Sequence, residues 1–145
     1  ASNAYGDRLV ARCRDDPVLS VRVVWTGMLT GAAKYGALYG ARCFVLPSFQ
    51  ENFGIAVVEA MACGVPMVVT DVGDSAWILD GNGEVVPPGD AGALAQALTH
   101  LLMLRPAERQ ALGQRGRQRI VENFSLETVA ERYLCEWSKL CASPV

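Results

Sequence analysis

Two carboxylates, Glu51 and Glu59, have seven residues between them, and the intervening stretch opens with Asn52-Phe53-Gly54-Ile55. If a helix begins near Gly54 or Ile55, its first-turn N–H groups, around Phe53, Gly54 and Ile55, have no intrahelical acceptor and point out of the helix end. Together with the helix dipole they favour a phosphate there. Gly54 has no Cβ, so a ligand can approach the backbone. An acid on either side supplies oxygens that accept hydrogen bonds from hydroxyls. Amides for an anion and carboxylates for hydroxyls suit a phosphorylated polyol, the composition of a nucleotide sugar. The same spacing also fits two solvated acids near a helix start, where the dipole favours negative charge without any ligand.

The elements that would position these groups are legible around them. Cys43-Phe44-Val45-Leu46 reads as a short strand buried on both faces, and Pro47-Ser48 ends it because proline cannot extend a ladder. A polar loop then leads into the helix, which Gly64-Val65-Pro66 stops. Met67 to Thr70 is the next buried strand, and Asp71-Val72-Gly73-Asp74-Ser75 lies at its carboxyl end. Upstream, Asp7 to Arg14 can form a helix that Asp16-Pro17 breaks, and Val21 to Trp25 reads as a strand. The loop after it, Thr26 to Gly31, brings Gly27, Met28 and Leu29 to the same rim, where Met28 and Leu29 either meet a ligand or cap the core. All three loops follow strands on the edge where open parallel sheets bind ligands.

Ala32 to Ala41 reads as a helix in which Gly36 and Gly40 allow close packing. Asp80-Gly81-Asn82-Gly83 is a turn before the strand Glu84-Val85-Val86. Asp90 is a good N-cap for a helix whose apolar face is Leu94, Ala97, Leu98, Leu101 and Leu102. Pro106 opens an arginine-dense helix towards Phe124. Its Arg105, Arg109, Arg115, Arg117 and Arg119 form either a phosphate patch or, with interspersed acids and amides, a solvated face. Ser125 caps a last helix with the apolar stripe Leu126, Val129, Ala130, Tyr133, Trp137 and Leu140. Alternating strands and helices give an α/β fold, a parallel sheet with helices on both faces.

Glu51-Asn52-Phe53-Gly54-Ile55, Glu59 through Pro66, Val68 through Gly73, and Pro87-Pro88-Gly89-Asp90 together resemble the signature of the group-one retaining glycosyltransferases. The resemblance runs from about Val23 to the last helix. It implies the Rossmann-like C-terminal, donor-binding half of the two-domain GT-B fold, and transfer from a UDP-, GDP- or ADP-sugar without a metal or other cofactor. It also implies that Glu51 contacts the reacting sugar, that the Phe53, Gly54 and Ile55 amides meet sugar and diphosphate, and that Glu59 binds the ribose. Gly27, Met28 and Leu29 would lie near the base. Trp77 stands where the family often has glutamate, which puts contacts of the third loop in doubt. A first βα pair and an acceptor-binding N-terminal domain are implied as missing partners, so the chain is expected to be inactive by itself and to expose a sheet edge through which copies could associate. A non-catalytic nucleotide- or protein-binding module, or a GT-B epimerase or phosphorylase fragment, are the other readings of this fold.

Length and composition set the remaining bounds. Residues 1–4 resemble the scar of a removed expression tag, leaving 5–145 as one truncated domain, and 51% hydrophobic residues suffice for a core. A net charge of −2 gives no basic field for nucleic acid, and the broken apolar runs give no transmembrane segment, which suits the cytoplasm. Five scattered cysteines without a Cys-x-x-Cys pair read as buried hydrophobes or free thiols. His100, the single histidine, excludes mechanisms that need two and reads as a helix-surface residue.

Overall fold

The computed structural model describes residues 4–142, in two compact units divided after Gly31. Of the four residues read as a tag scar, the first three lie outside the described residues, and Ala4 begins the first helix.

The first unit holds α1 (Ala4–Asp15) and a 3₁₀ turn at Leu19–Val21. The turn replaces the strand expected over Val21 to Trp25. Asp16 Oδ1 accepts the Val18 and Leu19 amides at 2.8 and 3.0 Å, and the Val23 amide reaches back to the Leu19 carbonyl at 2.9 Å. These local bonds use the backbone groups that a ladder would need, and no strand pairs with the segment. Val21 and Val24 are 80% and 82% exposed, so β-branched composition without a partner did not make a strand. Gly27, Met28 and Leu29 therefore follow no strand.

The second unit is built on three parallel strands, β1 (Phe44–Leu46), β2 (Met67–Thr70) and β3 (Glu84–Val86), in the order β1-β2-β3. Phe44 lies beside Met67, and Val68 beside Glu84. All four residues of β2 are buried, and their alternation divides the core. Met67 and Val69 join Val57, Ala60, Met61, Ile78, Leu79 and Ile120 on one face. Val68 joins Val86, Ala97 and Leu101 on the other. Helices thus cover both faces, as the alternation of elements predicts.

β1 departs from the expected fully buried strand. Phe44 and Leu46 pack on the first core, but Val45 is 38% exposed, while α5 (Ala91–Met103), on its face of the sheet, packs chiefly on β2 and β3. In the same helix Leu102, assigned to the apolar face, is also exposed, while Asp90 caps the helix by accepting the Ala93 amide at 2.9 Å. In α2 (Gly31–Gly40) no atom would touch a Cβ at Gly36 or Gly40, so these glycines serve no close packing.

The remaining helices are α3 (Ile55–Ala62), α4 (Ser75–Leu79), α6 (Pro106–Phe124) and α7 (Leu126–Ala142). α4 is too short for periodicity to reveal, and it was not expected. The arginines of the α6 region are not a uniformly solvated face: Arg105 and Arg115 are exposed, but three others are tied to backbone carbonyls. Arg109 donates to the Leu104 carbonyl at 3.2 Å, and Arg117 to that of Ala62, at the end of α3, at 2.6 Å. Arg119 is largely covered, donates to the Ile78 and Trp77 carbonyls at 2.7 and 2.6 Å, and pairs with Asp80 at 2.8 Å. These cations close the carboxyl ends of other helices, where orphan carbonyls and the dipole favour positive charge.

Candidate functional site

β1 and β2 end side by side, and their two loops are locked together. Thr70 Oγ1 donates to the Ser48 carbonyl at 2.6 Å, and the Asp74 amide donates to the Asn52 carbonyl at 3.0 Å. Gly73 adopts φ +52°, and a Cβ there would sit 2.1 Å from the Glu51 carbonyl oxygen, so only glycine fits. The expected convergence of the Glu51 and Gly73 loops at one sheet edge is therefore present and tight. Gly27, Met28 and Leu29 belong to the first unit; Met28 is almost wholly exposed and Leu29 half-buried.

α3 begins at Ile55, with Gly54 as its N-cap residue, where the sequence placed it. Gly54 is buried, and a Cβ there would sit 2.9 Å from a Val57 methyl and 3.6 Å from the Ser75 hydroxyl oxygen. The expected fan of three free amides is reduced. The Ile55 amide donates to the Phe53 carbonyl at 2.9 Å, whereas the amides of Phe53 and Gly54 donate to no protein group among the described residues. Ser75 Oγ is buried and has no hydrogen-bond partner. A polar atom left orphaned beside a helix start is a costly arrangement, and this one is covered by protein. The Phe53 ring is turned to Phe124, at a centroid distance of 6.1 Å, so it is the backbone of this residue that remains for a ligand.

The two acids have different surroundings. Glu51 is half-buried, and its Oε1 accepts the neighbouring Asn52 amide at 3.3 Å. Glu59, near the middle of α3, holds Lys34 of α2 through Nζ–Oε1 at 2.6 Å, with the two side chains 29% and 32% exposed. That hydrogen bond raises the Lys34 pKa above its ordinary value and keeps the ammonium charged. Lys34 was not anticipated, since no local spacing rule connects residues from separate helices. Ser75 was missed for a similar reason: it is buried beside Gly54, a residue of another loop. Trp77 lies on α4, edge-on to Phe124 at 5.3 Å, with the Arg119 guanidinium 6.0 Å from its ring centre. A cavity of about 420 Å³ lined by Gly83, Glu84, His100 and Arg115 opens at the amino end of β3 and shares none of these residues. There His100 Nδ1 meets Glu84 Oε1 at 2.8 Å, so the histidine stays outside the site.

Residues 4–103 match the family model described as Glycosyl transferases group 1. The chain is 36% identical over 108 residues to an MMP alpha-(1->4)-mannosyltransferase of Mycolicibacterium hassiacum, covering 72% of this chain and 26% of that protein. It is 31% identical over 138 residues to a D-inositol 3-phosphate glycosyltransferase of Mycobacterium bovis, covering 94% of this chain and 28% of that one. The chain thus spans little more than a quarter of these relatives. Among solved structures, sucrose-phosphate synthase from Thermosynechococcus elongatus superposes with a TM-score of 0.79 at 32% identity, over 99% of this chain and 36% of that one. A glycosyltransferase from Rickettsia africae, 20% identical, shares the fold with a TM-score of 0.75 over 97% of this chain and 38% of that one. The matched span runs from the start of α1 to the end of α5, across the locked loops and the Gly54 helix start, and it makes this chain a member of the group 1 glycosyltransferases.

Proposed function

We propose that this chain is the nucleotide-sugar-binding portion of a retaining glycosyltransferase that works in the cytoplasm. The observation that carries the reading is the start of α3: two amides unengaged among the described residues lie at Phe53 and Gly54, on the carboxyl edge of a parallel sheet, with Glu51 and Glu59 in the same loop-helix unit. Anions are favoured at such a helix start, and ligands at such an edge. In this reading the amides receive the diphosphate, Glu59 accepts the ribose hydroxyls, and Glu51 orients the sugar. As the diphosphate departs, the amides offset its growing charge. The donor is a UDP-, GDP- or ADP-sugar. Transfer also requires a held acceptor, so the 145-residue chain alone binds donor without transferring sugar, and a further domain of the whole protein holds the acceptor.

Amide chemical-shift mapping of this chain with UDP, GDP and ADP tests the assignment. Shifts should concentrate at residues 51–59 and 73–75. Shifts confined to the cavity beside His100 and Arg115, or to α6, would overturn it. Turnover by the isolated chain would overturn the need for a second domain.

A further inference from the structure

We propose that Lys34 is a positioning residue for Glu59: it holds one carboxylate oxygen and neutralises the acid, so that the other oxygen is presented to a vicinal diol beside an incoming diphosphate. The inference rests on the nucleotide-sugar reading above and adds a residue to it. Nζ lies 2.6 Å from Oε1, and Oε2 accepts from no group among the described residues. The ammonium is held from a second direction, with Nζ 5.1 Å from the Tyr35 ring centre. Clamped in this way, Glu59 has one defined acceptor oxygen instead of a rotating pair. Charge makes the second argument. A lone carboxylate in α3 would oppose the approach of a diphosphate to the start of that helix, and in the partly covered setting of Glu59 water screens such repulsion less than at an open surface. Lys34 cancels it while leaving the acceptor in place. Helix bonding alone is a poor explanation, because a partly exposed ion pair between two helices contributes little to stability.

The test is calorimetric titration of the full 145-residue chain as wild type, Lys34→Met and Lys34→Arg. The probes are UDP, GDP and ADP, their nucleosides, and the 2′,3′-dideoxy form of the tightest diphosphate; thermal melting runs in parallel. Lys34→Met should weaken the tightest diphosphate about tenfold and its nucleoside about twofold, as expected when a charge-assisted arrangement is lost beside an anion. Lys34→Arg should restore most of the diphosphate affinity. The penalty for removing the two hydroxyls should shrink in Lys34→Met, because Glu59 is no longer aimed. Equal losses for nucleoside and diphosphate that track a lowered melting temperature would reduce Lys34 to a structural tie and overturn the proposal. So would unchanged affinities. If the wild type binds none of the three diphosphates, the nucleotide reading fails first and the role of Lys34 falls with it.

Discussion

At Glu51 and Glu59 the same side chain meets different surroundings, and the difference sets what each substitution should do. Glu59 faces a cation, and its free oxygen suits a bound hydroxyl, whereas Glu51 belongs to the loop against which Gly73 is locked. In the whole protein, Glu59→Gln should raise the dissociation constant of the donor, while Glu51→Gln should mainly lower turnover, each by about 1–3 kcal/mol for one charged hydrogen bond. Donor titration combined with single-turnover rates separates the two, and equal small effects would return both to solvated acids. Gly73 makes a sharper case. A methyl group there meets the Glu51 carbonyl oxygen and must also adopt φ +52°. Gly73→Ala should therefore cost at least about 2 kcal/mol in urea unfolding and broaden the amide signals of the Glu51 loop.

Among the elements, the start of the 3₁₀ turn in the first unit is capped by one carboxylate. Asp16 accepts two backbone amides, which pulls its pKa below the ordinary value of 3.8. Its contribution is present above the unfolded pKa and is lost as pH falls through the lowered folded one. Trp25 emission should therefore change in acid in the wild type, and Asp16→Asn should remove that acid step. The packing of α3 against α6 offers a paired test. A Cβ on Gly113 would lie 2.0 Å from the Gly64 carbonyl oxygen, whereas one on Gly116 would make ordinary contact with Met61 at 3.5 Å. Gly113→Ala should cost about 2–3 kcal/mol by forcing the helices apart. Gly116→Ala, in a helix interior with room to spare, should gain about 0.5–1 kcal/mol. Melting temperatures that moved in the same direction would refute this account of the interface.

For the whole molecule, the exposed apolar surface governs behaviour in solution. Leu126, Tyr133, Trp137 and Leu140 of α7 are 85%, 61%, 61% and 73% exposed, and the edge strand β1 adds Val45. Apolar patches of this kind and unpaired sheet edges both promote association. Light scattering should show self-association that grows with concentration, and Trp137→Glu with Leu140→Lys should reduce it without lowering the melting temperature. A monomer at every concentration would show that this surface does not drive pairing.

Much of the second unit was determined by local sequence. β2 came from the apolar run Met67-Val68-Val69 closed by Thr70, α5 from Asp90 and its leucine spacing, and the stop of α3 from Gly64 and Pro66, which act through backbone rules that need no distant partner. The acids and the glycine between them were legible as a candidate site because their types and order carry the chemistry. What the tertiary structure decided depends on neighbours far along the chain. Val21 to Trp25 has strand composition but pairs with no strand among the described residues, and Val45 is apolar but 38% exposed on the edge strand. The arginines of α6 have the spacing of a surface, yet Arg117 and Arg119 close carbonyls 55 and 41 residues away. Lys34 meets Glu59 across 25 residues, and the Ser75 hydroxyl is buried beside Gly54, 21 positions earlier in the chain. A sequence states what each residue can bond to; which partner it receives is fixed only when the helices close on the sheet.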